Sequence, residues 1–170
     1  MQLTALLVRE AVIWLTARLL NIKDMEFRDY QSSIIDRTLD ILKTSNFAYL
    51  AMEVRTGKTL TSLGAIDKMG VEHALFLTKK KAISSIVGDY EKLDNPSFKL
   101  TVINYESMHK IPIEKWGVVV CDESHSLGAF PKPSKRAKAV RDLILRTKAK
   151  VIFLSGTPTP ESYSQMYHQV

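Results

Sequence analysis

A chain of 170 residues, 45% hydrophobic and 25% charged, is long enough to bury one full core and has the makeup of a soluble globular domain. It contains no internal repeat and no low-complexity tract, which excludes solenoid and compositionally disordered classes. The net charge of +6 is uneven, with +7 in residues 131–150 and −1 in all the rest, so one short stretch suits either a polyanionic partner or a solvated helix face.

In chain order, residues 1–22 come first. Leu6, Leu7, Ile13, Trp14 and Leu20 have the spacing of an amphipathic helix. Arg9, Glu10 and Arg18 sit in the middle of that segment and argue against a membrane span or a signal peptide. Its apolar face is expected to cover a sheet edge or to dock a partner, as an accessory to a domain over residues 23–170. "SSIIDRTLDILKTS" follows, apolar at 34, 35, 39 and 42, a helical period.

Five short apolar runs then alternate with helical segments. The runs are "FAYLAM" (47–52), "ALFLT" (74–78), "KLTVIN" (99–104), "GVVVCD" (117–122) and "KVIFLS" (150–155). Between them lie "KTLTSLGAIDKM", "KKAISSIVGDYEKL" and "SKRAKAVRDLILRTK". The alternation predicts an α/β fold, a mostly parallel central sheet with helices on both faces. The last helix carries much of the basic excess, including Lys135, Arg136, Lys138 and Arg141, with Val140, Leu143 and Ile144 expected to face the core. The single cysteine, Cys121, lies in an apolar run, reads as a small core residue and fits a reducing, intracellular compartment.

In sheets of this kind ligands bind beyond the C-terminal ends of strands, so the polar residues just after each run carry the functional argument. After the first run, "AYLAMEVRTGKTLTSL" contains Gly57, Lys58 and Thr59, the second half of a phosphate-binding loop, with Met52 where its first glycine belongs. Backbone N–H groups of Thr56 to Thr59 at a helix start would surround a phosphate, Lys58 would neutralise it, and Thr59 would bind Mg²⁺. A lone Gly-Lys-Thr is weak evidence. After the fourth run, "VVVCDESH" offers Asp122 to the Mg²⁺ and Glu123 to polarise an attacking water; alone, two adjacent acids read as solvated loop residues. After the fifth, "FLSGTPTP" places the Ser155 and Thr157 hydroxyls at a strand tip, or forms an ordinary turn.

Taken together, the chain resembles the first RecA-like domain of superfamily 2 helicases and translocases, most closely the Swi/Snf-like branch. "FRDYQ" resembles the adenine-reading Q motif, "RTGKT" motif I, "LFLTKKKAISSIVGDY" motif Ia, "VINYESM" motif Ib, "VVVCDESH" motif II (the DEAH box) and "LSGTPTP" motif III. The match runs over about residues 27–170, and six motifs in order are specific together. The resemblance implies a RecA-like fold and assigns ATP binding to Arg28, Gln31, Arg55, Thr56, Gly57, Lys58 and Thr59. Gln31 would read adenine through its carboxamide, while Phe27 and Tyr30 would pack the segment onto the domain. In this family the first loop glycine is often absent, so Met52 is no defect, whereas Arg55 stands where Swi/Snf-like proteins usually carry glycine. The metal ligands would be Thr59 and Asp122, the catalytic residues Glu123 and Lys58, and His125 would couple motif II to Ser155 or Thr157. Ser124 replaces the alanine of DEAH-type boxes. Lys79, Lys80, Tyr105 and Ser107 would contact the nucleic-acid backbone.

ATP and Mg²⁺ are the implied ligands, and nucleic acid, more specifically double-stranded DNA, the implied partner, with no membrane involved. Motifs IV to VI and the arginine fingers belong to a second RecA-like domain, which would have to come in cis or in trans. The alternative is a stand-alone, non-catalytic interaction module of helicase ancestry. A kinase or other nucleotidase is disfavoured by "SGTPTP" and the Q-like segment.

Overall fold

The computed structural model describes residues 26–111, 115–128 and 132–157. The expected helix over residues 1–22 and the segment "ESYSQMYHQV" lie outside them. Helix α1 spans Asp29–Thr44, strand β1 Phe47–Ala51, helix α2 Lys58–Met69 and strand β2 His73–Thr78. Helix α3 spans Ile83–Glu91, strand β3 Lys99–Asn104, strand β4 Val118–Cys121, helix α4 Lys135–Thr147 and strand β5 Lys150–Ser155. Short 3₁₀ turns at Lys80–Ala82, Tyr105–Lys110 and Ser124–Leu127 follow β2, β3 and β4. The helix expected from residue 80 therefore begins as a 3₁₀ turn and becomes α-helical only at Ile83.

All five strands are parallel, in the order β1-β5-β4-β2-β3. Leu50 pairs with Leu154, Val120 with Ile152, and Phe76 with both Val120 and Val102. The alternating side chains feed two cores. Val118, Val120, Phe76, Ile152 and Leu154 pack with Leu63, Ile66 and Ile86 on the face carrying α2 and α3. Val119, Cys121, Leu75, Leu77, Val151 and Phe153 pack with Val140 and Leu143 of α4 on the other. This is why β4 reads as an unbroken apolar run: all four of its residues are buried. Among the described residues no helix is long and apolar enough to cross a membrane.

Helix α2 begins at Gly57 (φ 80°) and ends at Gly70 (φ 65°), both left-handed positions that glycine adopts without a Cβ penalty. Between them Gly64 lets α1 approach closely, because a Cβ there would lie 2.5 Å from Phe27 Cζ and 2.8 Å from Ile35 Cδ1. Ile35 is fully buried and cannot swing into solvent. Gly64→Val is expected to cost about 2–3 kcal/mol by overpacking, although valine is the better helix former. Urea denaturation measures this, and a variant as stable as the parent would contradict the close approach.

Candidate functional site

The strand order brings three loops to one place. The C-terminal ends of β1, β5 and β4 lie side by side and lead into the Gly-Lys-Thr loop, the Ser155 turn and the acidic turn respectively. Met52 N–H donates to Ser155 O (3.1 Å), carrying the β1–β5 ladder one step past the strand end.

The Gly-Lys-Thr loop curls around the carbonyl of Glu53, which accepts from Thr56 N (3.4 Å), Thr56 Oγ1 (2.7 Å) and Lys58 Nζ (3.5 Å). Helix α1 holds it from outside: Tyr30 Oη and Gln31 Nε2 both donate to Thr56 O, at 2.9 and 3.3 Å. Gly57 meets two demands at once, a positive φ and a contact that a Cβ would close to 2.5 Å from Gln31 Nε2. Arg55 takes φ 67° without being glycine, which accounts for the glycine usual at that place in the family it resembles. Lys58 reaches across to the Ser155 turn, since a Cβ on Gly156 would lie 3.3 Å from Nζ. Thr59 stands in the first turn of α2.

Gln31 is only 5% exposed, and its Oε1 accepts from Arg28 N (3.1 Å) while Nε2 holds Thr56 O. The side chain expected to read adenine thus ties the start of α1 to the Gly-Lys-Thr loop. Arg28 itself is exposed. Phe27 packs on the core as expected, but Tyr30 is exposed and holds the loop through its hydroxyl.

Asp122 is buried and tightly held. Its N–H donates to Leu77 O (2.8 Å), its Oδ2 accepts from Thr78 Oγ1 (2.7 Å), and its carbonyl accepts from Tyr105 Oη (2.6 Å). Burial pushes its carboxyl above the ordinary range, opposed by the Thr78 hydroxyl and by the positive charge of Lys58. Glu123 adopts φ 51°, a strained conformation for a residue with a side chain, of the sort that collects at functional sites.

His125 links the two turns. Its Nε2 lies 3.4 Å from Glu123 Oε2 and its Nδ1 3.1 Å from Ser155 Oγ, which also accepts from Thr157 N at 3.1 Å. Which of His125 Nδ1 and Ser155 Oγ donates in this pair depends on the ring tautomer. Ser124 is fully buried and donates to Tyr49 Oη (3.2 Å), so its hydroxyl has a partner that alanine would lack.

Farther along the sheet, Lys80 is exposed after β2, and Lys79 and Ser107 are half-buried after β2 and β3. Tyr105 requires a correction. It was expected to touch nucleic acid, yet it is 5% exposed, packed in the α4-side core with its hydroxyl on Asp122 O. Its ring belongs inside because it follows β3 directly and faces Cys121 and Leu77 across the sheet. Burial, then Cys121 and Asp122, hold its phenol protonated well above the ordinary range. Sequence reasoning also missed Thr78. The only signal was a hydroxyl ending an otherwise apolar strand. The Cys121 thiol, fully buried, is likewise pushed up and stays protonated, as a core residue should.

The donor set fits a magnesium-bound triphosphate. Lys58 and the N–H groups opening α2 suit phosphate oxygens, and one buried carboxylate with one hydroxyl suits a hard cation that keeps part of its shell from phosphate and water. Among the described residues no cluster of three His, Cys, Asp or Glu side chains forms a self-contained metal site.

The family profile described as "Type III restriction enzyme, res subunit" matches residues 24–87, a span running from before α1 into α3 and including the Gly-Lys-Thr loop. None of the curated proteins compared matches the sequence. Among solved structures, a nuclease-deletion mutant of the Type ISP restriction-modification enzyme LlaGI in complex with a DNA substrate mimic superposes with a TM-score of 0.58 and 16% identity. The match covers 81% of this chain and 18% of that one. The ATP-dependent Type ISP restriction-modification enzyme LlaBIII bound to DNA gives a TM-score of 0.55 at 17% identity, over 76% of this chain and 13% of that one. The chain thus spans less than a fifth of the length of either enzyme.

Asp122→Asn is expected to raise the thermal midpoint of the magnesium-free protein at neutral pH. A carboxyl whose folded pKa lies above its unfolded value subtracts stability once ionised; the loss is complete above the folded pKa and absent below the unfolded one. The gain from asparagine should therefore shrink as pH falls through that window. Calorimetry across pH checks it, and a gain that grows on acidification would contradict the buried-carboxylate assignment.

Proposed function

We propose that the chain, which has the α/β fold of the matched restriction-modification enzymes, is the ATP-binding half of a nucleic-acid-dependent motor of superfamily 2. The observation that carries this reading is the convergence of Lys58, Asp122 with Glu123, and Ser155 at three neighbouring strand ends. In this reading the loop N–H groups of residues 56–59 and the Lys58 ammonium grip the β- and γ-phosphates. Mg²⁺ would be held by Thr59 and Asp122 and would neutralise charge on the triphosphate. Glu123 orients the attacking water, fixed by its backbone turn and by His125, and His125 passes the state of the acidic turn to Ser155 and Thr157. Gln31 acts mainly by fixing the Thr56 carbonyl, with Arg28 and Arg55 at the outer rim of the nucleotide.

The polyanionic partner is nucleic acid, more specifically double-stranded DNA, in line with the DNA-bound enzymes that share the fold. Its backbone would run past Lys79, Lys80 and Ser107 toward the exposed Lys135, Lys138 and Arg141 of α4. The matched enzymes are Type ISP restriction-modification enzymes, one of them ATP-dependent, whereas the motif order most resembles the Swi/Snf-like branch. A second RecA-like domain, in cis or in trans, supplies the arginine finger, a group that accounts for roughly 10³–10⁵ in the rate of phosphoryl-transfer enzymes. Without it ATP is bound and hydrolysed slowly.

Lys58→Ala removes a charged phosphate contact and is expected to weaken Mg²⁺–ATP binding by about 10–100-fold, with the fold retained. Isothermal titration measures it; equal affinity in parent and variant would defeat the assignment.

A further inference from the structure

One cation of the basic helix does not simply face solvent. Arg136, in the first turn of α4, is 35% exposed at its side chain and bridges two turns. Its Nη2 donates to Glu106 Oε1 (2.8 Å) in the turn after β3, and its Nη1 to Ser126 Oγ (3.4 Å) in the turn that carries His125. Its guanidinium carbon lies 5.1 Å from the centroid of the Tyr105 ring, in cation–π range. Tyr105 in turn donates to the Asp122 carbonyl at 2.6 Å. Two contacts in series therefore lead from a half-exposed cation on the basic face to the backbone of the residue assigned to the metal.

We propose that Arg136 senses the nucleic-acid backbone and transmits its occupancy to the nucleotide site through Tyr105, which is a positioning residue for Asp122. This rests on the reading of the site given above. The physical basis is competition for one guanidinium. Glu106 is 61% exposed at its side chain, so its pair with Arg136 is open to solvent and a phosphodiester is a direct rival for the same N–H donors. A phosphate that draws Arg136 outward takes the cation off the Tyr105 face and its donor off Ser126. Both partners adjoin the acidic turn: Ser126 N–H donates to Glu123 O (2.9 Å), and Tyr105 Oη ends on Asp122 O. The two states differ in these named contacts, which is what a coupling between sites requires.

The experiment is a titration of fluorescently labelled ATP with Mg²⁺ onto the whole chain, with and without a saturating short DNA duplex, reading the ratio of the two Kd values. The parent is expected to show a ratio of about fivefold or more in either direction. Tyr105→Phe keeps the ring and removes only the hydroxyl; Arg136→Gln removes the cation. Both are expected to bring the ratio to within about twofold of unity; Tyr105→Phe also lowers the thermal midpoint by several degrees through the lost buried hydrogen bond, and both variants remain folded at the assay temperature. Arg136→Lys, which keeps the charge but loses the planar fork, is expected to fall between. Measuring at saturating DNA removes any effect of weakened DNA binding on the ratio. A parent ratio preserved in Tyr105→Phe and Arg136→Gln would overturn the relay and leave the ATP and DNA assignments standing, as would a parent that binds both ligands with a ratio of one. A parent that binds neither ligand would overturn those assignments and the relay with them.

Discussion

The parallel pairing of β1, β5 and β4 is the constraint on which the rest of the structure depends. Residues 57, 122 and 155 are far apart in sequence, yet each lies at or just beyond the C-terminal end of a strand, and these three strands are neighbours in the sheet. Parallel strands point the same way, so their C-terminal loops must emerge on one edge. The register then sets the fine position: Ala51 pairs with Ser155, and Cys121 with Phe153. Slippage by one residue on β5 would exchange the Phe153 and Leu154 faces and take Ser155 away from His125. Burial on both sides of the sheet opposes such slippage, so the two apolar cores hold the polar edge in register.

That edge is held at a cost to stability. Asp122 is a carboxylate kept in a buried place by the Thr78 hydroxyl and the nearby Lys58, and Glu123 and Arg55 adopt left-handed backbone conformations that their side chains resist. A domain selected only for stability would carry glycine or asparagine at the strained turns and an apolar residue in place of Asp122. Among the described residues four non-glycine positions take positive φ: Arg55 and Glu123 fall in turns that the motifs mark, Lys148 caps the C-terminus of α4, and Asn95 lies in the loop before β3.

Much of the fold was legible in the sequence because doubly buried parallel strands have a plain signature. "VVVC" and "ALFLT" are continuous apolar runs of strand length, and the helix over Lys58–Met69 is bracketed by glycines at both ends. The same pattern made the strand tips, and so Lys58, Asp122, Glu123 and Ser155, easy to single out. The supports of the site were harder to see. Thr78, Tyr49 and Tyr105 act through single hydroxyls whose partners lie 44, 75 and 17 residues away, and no local pattern announces a contact of that range. Tyr105 misled for a related reason. An aromatic residue among polar ones after a strand resembles a base or sugar contact, and only the adjacency of β3 to β2, and of β2 to β4, turns its ring inward. Gln31 was read for its hydrogen-bonding capacity toward adenine, and no local pattern showed that α1 packs near enough to the loop for Oε1 to accept from Arg28 N and Nε2 to donate to Thr56 O.

The most direct test of the central claim is a crystal structure of the chain with a non-hydrolysable ATP analogue and Mg²⁺. The account expects the terminal phosphates in the loop of residues 53–59, within hydrogen-bonding distance of Lys58 Nζ, and the cation between Thr59 and Asp122. A nucleotide bound on another surface, or one at this edge with its phosphates turned away from Lys58 and both acids, would contradict it.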